Sequence, residues 1–273
     1  MMIINGVQQS SIDVNDRGLA YGDGLFETIE IASGKPVYWR RHLGRLQHGC
    51  DVLGLVCPEE NLLLQECTDI AKGAKKGIVK IMLTRGSGGR GYRPVDNHTL
   101  NRILSFHAWP TIPGGYYENG IRLYLCEMPV SMNRKLAGIK TLCRLDQVMA
   151  QSEWDEADYA EGVMLDNNGL VIEGTKTNIF IVNQGKLFTP SLTDAGIHGI
   201  MRSIIIEAAG RLGIGLVEKG ITSEDLVTAD ELFVCNSIIK IWPVCEYLDR
   251  KYEPGEITNL LTSELERQSS TYE

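Results

Sequence analysis

Two periods alternate along the chain: short apolar or alternating runs that read as strands, and longer stretches with apolar residues every third or fourth position that read as helices. Residues 2–5 and the turn at Gly6 open a hairpin, and a strand resumes over 28–32 after a glycine-rich loop at 16–27. From Arg40 the period lengthens. Leu43, Leu46, Cys50 and Leu53 share a helical face, with Arg41, Arg45 and His48 off it. A second helix over 58–72 starts with Pro58, Glu59 and Glu60, which suit a helix N-terminus. The 77–85 stretch predicts a strand buried on both faces. Further strands are predicted over 121–127, 161–166, 170–173, 178–182, 186–189, 231–236 and 241–244. A strong helix follows 196–202, with Ile200, Ile204, Ala208 and Leu212 on one side. The 108–115 segment, with two prolines and two glycines, is the best linker. We place domains at 1–110 and 116–273, joined by 111–115.

One polar residue stands out against this pattern. Residues 136–142 carry a single charge, Lys140, and Leu145, Val148 and Met149 then recur at helical spacing. Lys140 is therefore expected at the end of a short extended run, just ahead of a helix N-terminus. Apolar surroundings and a helix dipole both disfavour an ammonium, and lysines so placed serve as bases and Schiff-base nucleophiles. The alternative is a snorkelling lysine with a buried stem and a wet head.

Composition narrows the partners. The net charge of −8, from 27 basic and 35 acidic residues with no Lys/Arg run beyond two, argues against nucleic acid or an anionic membrane. No apolar stretch reaches transmembrane length, and the start lacks a signal-peptide pattern. Seven cysteines without a Cys-x-x-Cys pair argue for a reducing, cytoplasmic setting. The five histidines show no metal-like spacing, so no metal is expected. Gly86-Ser-Gly-Gly-Arg90-Gly-Tyr92 matches G-x-G-x-x-G, but Tyr92-Arg93-Pro94 follows instead of a helix and no acidic residue stands about 20 positions on, so it is no dinucleotide site. It reads as an arginine-bearing loop suited to an anionic substrate, or as a long hairpin tip.

A lysine imine to pyridoxal phosphate needs a carboxylate for the pyridinium nitrogen and a cradle for the phosphate. Glu173 ends a strand, the 196–201 stretch offers N–H groups at a helix start, and Arg45 could add a charged hydrogen bond. Taken singly, these read as a strand-end acid, a plain helix entry and a solvated charge.

Longer motifs join them. Tyr21-Gly-Asp-Gly-Leu-Phe-Glu-Thr28 with His42-Leu-Gly-Arg45, Thr84-Arg-Gly-Ser-Gly-Gly-Arg-Gly-Tyr92, Leu136-Ala-Gly-Ile-Lys140-Thr-Leu-Cys-Arg144-Leu-Asp-Gln-Val148, Ala195-Gly-Ile-His-Gly-Ile-Met-Arg202 and Cys235-Asn-Ser-Ile-Ile-Lys-Ile-Trp-Pro-Val-Cys245 span the chain. In these motifs it resembles the class IV (fold type IV) pyridoxal-phosphate enzymes, and most closely the 4-amino-4-deoxychorismate lyases. The resemblance implies an α/β (α+β), two-domain fold: an N-terminal two-layer α/β sandwich and a C-terminal β-barrel-like domain with flanking helices. It implies a cytoplasmic homodimeric oxo-acid lyase of folate biosynthesis, forming 4-aminobenzoate and pyruvate from 4-amino-4-deoxychorismate. Lys140 would carry pyridoxal 5'-phosphate as a Schiff base and shuttle protons, and Glu173 would pair with the ring nitrogen. Arg45, the backbone at Ile197 and His198, and Asn236 or Ser237 would take the phosphate, and Arg90, Tyr92 and Phe26 would meet substrate. Cys143 stands where the lyase motif has asparagine, and Ser237 where a lyase has alanine. A class IV aminotransferase for D-amino or branched-chain amino acids is the alternative.

Overall fold

The computed structural model describes residues 2–89, 91–94 and 99–269, the last two by backbone alone. The chain divides into two compact units: Met1–Thr111 with Ile139–Arg144, and Ile112–Gly138 with Leu145–Glu273. The first unit thus takes in the six residues around Lys140.

In the first unit the described residues form β1 (Met2–Ile4), β2 (Val7–Gln8), α1 (Arg17–Tyr21), β3 (Gly24–Ala32), β4 (Lys35–Pro36), α2 (Trp39–Leu53), α3 (Glu60–Ile70), β5 (Lys76–Thr84) and β6 (Asn101–Ala108). The strands make one antiparallel sheet in the order β2-β1-β6-β5-β3-β4. Leu43, Leu46 and Cys50 of α2 and Leu63 and Cys67 of α3 join Ile29, Ile31, Val79, Ile81 and Leu83 of the sheet in one core. This is a two-layer α/β sandwich. Because helices cover only one face, β5 alternates: Gly77, Val79, Ile81 and Leu83 are buried, and Ile78, Lys80 and Met82 are half-buried. The expected burial of both its faces is corrected.

The glycine-rich 16–27 stretch is more ordered than a loop. Asp16 accepts the Gly18 N–H at 2.7 Å and caps α1. Gly22, at φ +67°, closes that turn in the left-handed region, and β3 starts two residues on.

The second unit comprises α4 (Gly115–Glu118), β7 (Ile121–Leu125), α5 (Leu145–Gln151), β8 (Glu161–Leu165), β9 (Leu170–Gly174), β10 (Asn178–Asn183), β11 (Lys186–Pro190), α6 (Ile200–Arg211), β12 (Leu216–Lys219), β13 (Ile221–Thr222), α7 (Ser223–Val227), β14 (Glu231–Asn236), β15 (Lys240–Tyr247), β16 (Arg250–Lys251) and α8 (Glu256–Ser269). Its sheet runs β12-β11-β10-β14-β15-β7-β8-β9-β13, with β16 on β15. Among the described residues no ladder joins β12 to β13, so the barrel-like domain is hydrogen-bonded as an open sheet. Its core gathers Ile121, Val163, Ile179, Ile181, Val234 and Val244.

Helix α5 departs from its sequence pattern. Leu145, Val148 and Met149 lie on the surface, Leu145 at 69% exposure, and Ala150 is the buried residue. Polar ends hold this segment. Asp146 accepts the Ser131 N–H at 2.8 Å, and Glu153 accepts the N–H groups of Glu127 and Met128 at 2.6 and 2.8 Å. No helix among the described residues is long and apolar enough to cross a membrane.

Candidate active site

Within the first unit, Lys140 lies on an irregular strip beside β3. The Phe26 N–H donates to the Lys140 carbonyl at 3.0 Å, the Leu142 N–H donates to the Gly24 carbonyl at 3.0 Å, and Leu25 bridges Thr141. β4 pairs only with the far end of β3, at Ile31 and Ala32, so the strip takes the edge that β4 leaves at 24–26. As the spacing predicts, a helix follows: α5 begins at Leu145, five residues beyond Lys140. The half-buried Lys140 holds its Nζ 4.4 Å from the Phe26 ring centroid. Lys80 holds its own Nζ 5.0 Å from the same ring. One aromatic ring therefore faces two amines, a placement that tolerates cations and draws anions.

Glu27 follows Phe26 and points to the core side, 1% exposed. Its two oxygens accept Arg45 Nε at 2.8 Å and Nη2 at 2.6 Å, and Oε2 lies 2.7 Å from His42 Nδ1. Burial pushes the Glu27 carboxyl up, but the Arg45 charge and hydrogen bonds, with His42, outweigh it and bring it down to about 2. Arg45 is thus a half-buried, oriented guanidinium, not a solvated charge.

The glycine loop is tied down at its base. Arg17 donates Nε to Asp23 at 2.9 Å and its two terminal nitrogens to the carbonyls of Gly91 and Tyr92 at 3.0 and 2.9 Å. Arg85 meets the same Asp23 oxygen at 2.8 Å. Burial raises the Asp23 carboxyl, and the pair of arginines lowers it further, to a net position below the usual range. Gly86, at φ +78°, leaves no room for a Cβ, which would fall against the Thr99 carbonyl. Tyr92 is 86% exposed and edge-on to Tyr21. Arg90 lies outside the described residues.

In the second unit Glu173 is the penultimate residue of β9 and is 3% exposed. Its Oε2 accepts the Ile197 N–H at 2.8 Å, and Gln147 Nε2 stands 3.5 Å from Oε1. The His198 N–H donates to the Gly138 carbonyl at 3.0 Å, and the Gly138 N–H to the Gly196 carbonyl at 2.8 Å. Both N–H groups named for phosphate binding, at Ile197 and His198, are therefore engaged within the unit, and that assignment is corrected. Past Gly199, the N–H groups of Ile200 and Met201 open the twelve-residue α6. They are seen donating to nothing among the described residues, and the first turn holds no acidic residue.

Asn236 is also spent. Its Oδ1 accepts the N–H groups of Ile238 and Ile239 at 2.8 and 2.9 Å, and its Nδ2 donates to the Lys176 carbonyl at 3.1 Å. The carbonyl of Ser237, the other candidate in that turn, accepts Lys240 Nζ at 2.7 Å. Cys143, the departure from the lyase motif, is exposed, with Sγ 3.6 Å from the Tyr21 carbonyl.

Two residues escaped the sequence reading, Lys80 and Asn178, and within the 196–201 stretch it did not single out the Ile200 and Met201 N–H groups. Lys80 had a signal, a lone cation at an outward position of a period-two strand. The helix start had one too, three residues further on than the 197–198 position read from the motif.

Comparison with known proteins follows the same outline. Residues 24–247 match the family described as Amino-transferase class IV. An aminodeoxychorismate lyase of Vibrio harveyi is 32% identical over 244 residues, covering 89% of this chain and 90% of that protein. A branched-chain-amino-acid aminotransferase of Salmonella typhimurium is 29% identical over 251 residues, 87% of this chain and 80% of that one. The crystal structure of 4-amino-4-deoxychorismate lyase from Pseudomonas aeruginosa superposes with a TM-score of 0.94 at 38% identity, covering 98% of each chain.

Proposed function

The chain belongs to the amino-transferase class IV family, and from that premise we propose that it is a pyridoxal-phosphate-dependent aminodeoxychorismate lyase. It would form 4-aminobenzoate and pyruvate from 4-amino-4-deoxychorismate, in folate biosynthesis, as a cytoplasmic homodimer. The observation that carries the proposal is the end-to-end likeness to the Pseudomonas lyase. The exposed apolar residues Leu145, Val148 and Met149 support the dimer.

The residues suit the cofactor. Glu173 is a buried carboxylate already held by a backbone N–H, and so able to keep a pyridine nitrogen protonated. The Ile200 and Met201 N–H groups supply donors for a phosphate, and Ser237 and Arg45 are proposed for it on the family resemblance alone. Gly138 and Gly196, both at positive φ, bring backbone close to that region; a Cβ on Gly138 would stand 2.9 Å from the His198 ring. Gly138 is hydrogen-bonded to both Gly196 and His198.

When bound, pyridoxal phosphate supplies an aldehyde and an electron sink. Lys140 would hold it through Nζ, yield that place to the substrate amine, and take the proton from the amine-bearing ring carbon. The same Nζ returns a proton as pyruvate departs. Two carboxylates on the substrate call for cations, and Lys80 and Arg90 are proposed for them, with Tyr92 and Phe26 lining the approach.

The likeness to a branched-chain aminotransferase supports a second reading, amino transfer on the same cofactor. One assay separates the two. Chorismate, an ammonia source and the partner synthase should yield 4-aminobenzoate only when this protein is added. No product, with cofactor absorbance bleached by an amino acid and restored by a keto acid, would replace the lyase reading with the aminotransferase one.

A further inference from the structure

We propose that Asn178 is a positioning residue for the anion-holding side of the second unit, its one amide fixing both the Ile197–His198 peptide and the entry of α6. The inference rests on the cofactor reading above.

Asn178 opens β10, is 6% exposed, and stands opposite Cys235 of β14, two residues before Ser237. Its Nδ2 donates to the Ile197 carbonyl at 3.0 Å. That carbonyl and the His198 N–H belong to one peptide, and the N–H is taken by Gly138 at 3.0 Å. The Ile197–His198 peptide is thus clamped at both ends, beside the Gly196–Ile197 peptide, whose N–H donates to Glu173 Oε2 at 2.8 Å. On its other side, Asn178 Oδ1 fills the space where a Cβ on Gly199 would sit, 1.9 Å away. Gly199 is extended, at φ −65° and ψ 139°, and has no capping side chain of its own, so the Asn178 contact sets the angle at which the chain enters α6.

The residue type follows from these demands. Aspartate lacks the donor, leucine lacks both polar atoms, and glutamine is one methylene too long for a space closed by Gly199. A strand-opening asparagine with merely local bonding would hold its own turn. This one reaches residues 19 and 21 positions away.

The test uses the full chain stripped of cofactor, as wild type, Asn178→Ala and Asn178→Ser, both neutral so that no charge is added beside an anion. Affinities are measured for pyridoxal phosphate, for pyridoxal, which lacks the phosphate, and for inorganic phosphate. Melting temperatures report folding. Both variants should bind pyridoxal phosphate and inorganic phosphate about tenfold more weakly than wild type, with a much smaller change for pyridoxal. Equal losses for pyridoxal phosphate and pyridoxal, or none, overturn the inference, because a purely structural role moves both alike. If the alanine variant fails to fold, the serine variant decides. A wild type that binds inorganic phosphate but neither pyridoxal compound sinks the cofactor reading and leaves the inference to be judged on phosphate alone. A wild type that binds none of the three sinks both.

Discussion

At the scale of single residues, the chain places its reactive groups by contrast with their surroundings. Lys140 shares the Phe26 ring with Lys80, and Glu27 keeps its charge beneath the same strand because Arg45 reaches it with two nitrogens. Lys140→Ala should lower 4-aminobenzoate formation at least about a thousandfold, read in the coupled synthase assay, since the proposed covalent anchor and base would both be lost. Near-normal turnover would remove Lys140 from the mechanism. Glu27 makes a prediction in pH. Its folded carboxyl is brought from 4.5 to about 2, so it contributes stability that is fully present above 4.5 and lost as pH falls toward 2. Glu27→Gln should therefore cost about 3 kcal/mol at neutral pH, measured by urea unfolding, and progressively less between pH 4.5 and 2.

Elements decide what those residues can reach. The strip around Lys140 takes an edge of β3 that the two-residue β4 leaves uncovered, and α5 is fastened by Asp146 and Glu153, not by its apolar stripe. Glycines mark where backbones approach. Gly34 and Gly138 both sit at positive φ, but a Cβ at Gly34 meets nothing, and at Gly138 it meets the His198 ring. Gly34→Ala should cost about 1 kcal/mol for the backbone conformation alone. Gly138→Ala should cost about 1–2 kcal/mol more and weaken cofactor binding as well. Equal stability losses in denaturant titrations of the two variants would show the His198 packing to be slack.

For the whole molecule, cofactor and stability are linked. A ligand that binds only the folded chain, present at about 100 times its dissociation constant, adds about 2.7 kcal/mol. Pyridoxal phosphate should raise the melting temperature of the stripped protein, and pyridoxal at the same concentration should raise it less. No shift with either would count against the cofactor proposal.

Taken by itself, the sequence determined the alternation of strands and helices, the core faces of α2 and α6, and the motifs that place the chain in its family. These are local signals: apolar period, turn chemistry and residue identity at fixed spacing. Tertiary structure decided the rest. Burial on one face of β5, the surface position of Leu145, Val148 and Met149, and the spent N–H groups of Ile197 and His198 all depend on which partners arrive from distant segments. The same holds for Asn236, whose amide the turn consumes, and for Asn178, whose partners lie 19 and 21 residues along the chain. A donor in sequence is only a capacity, and the fold determines whether it is already satisfied.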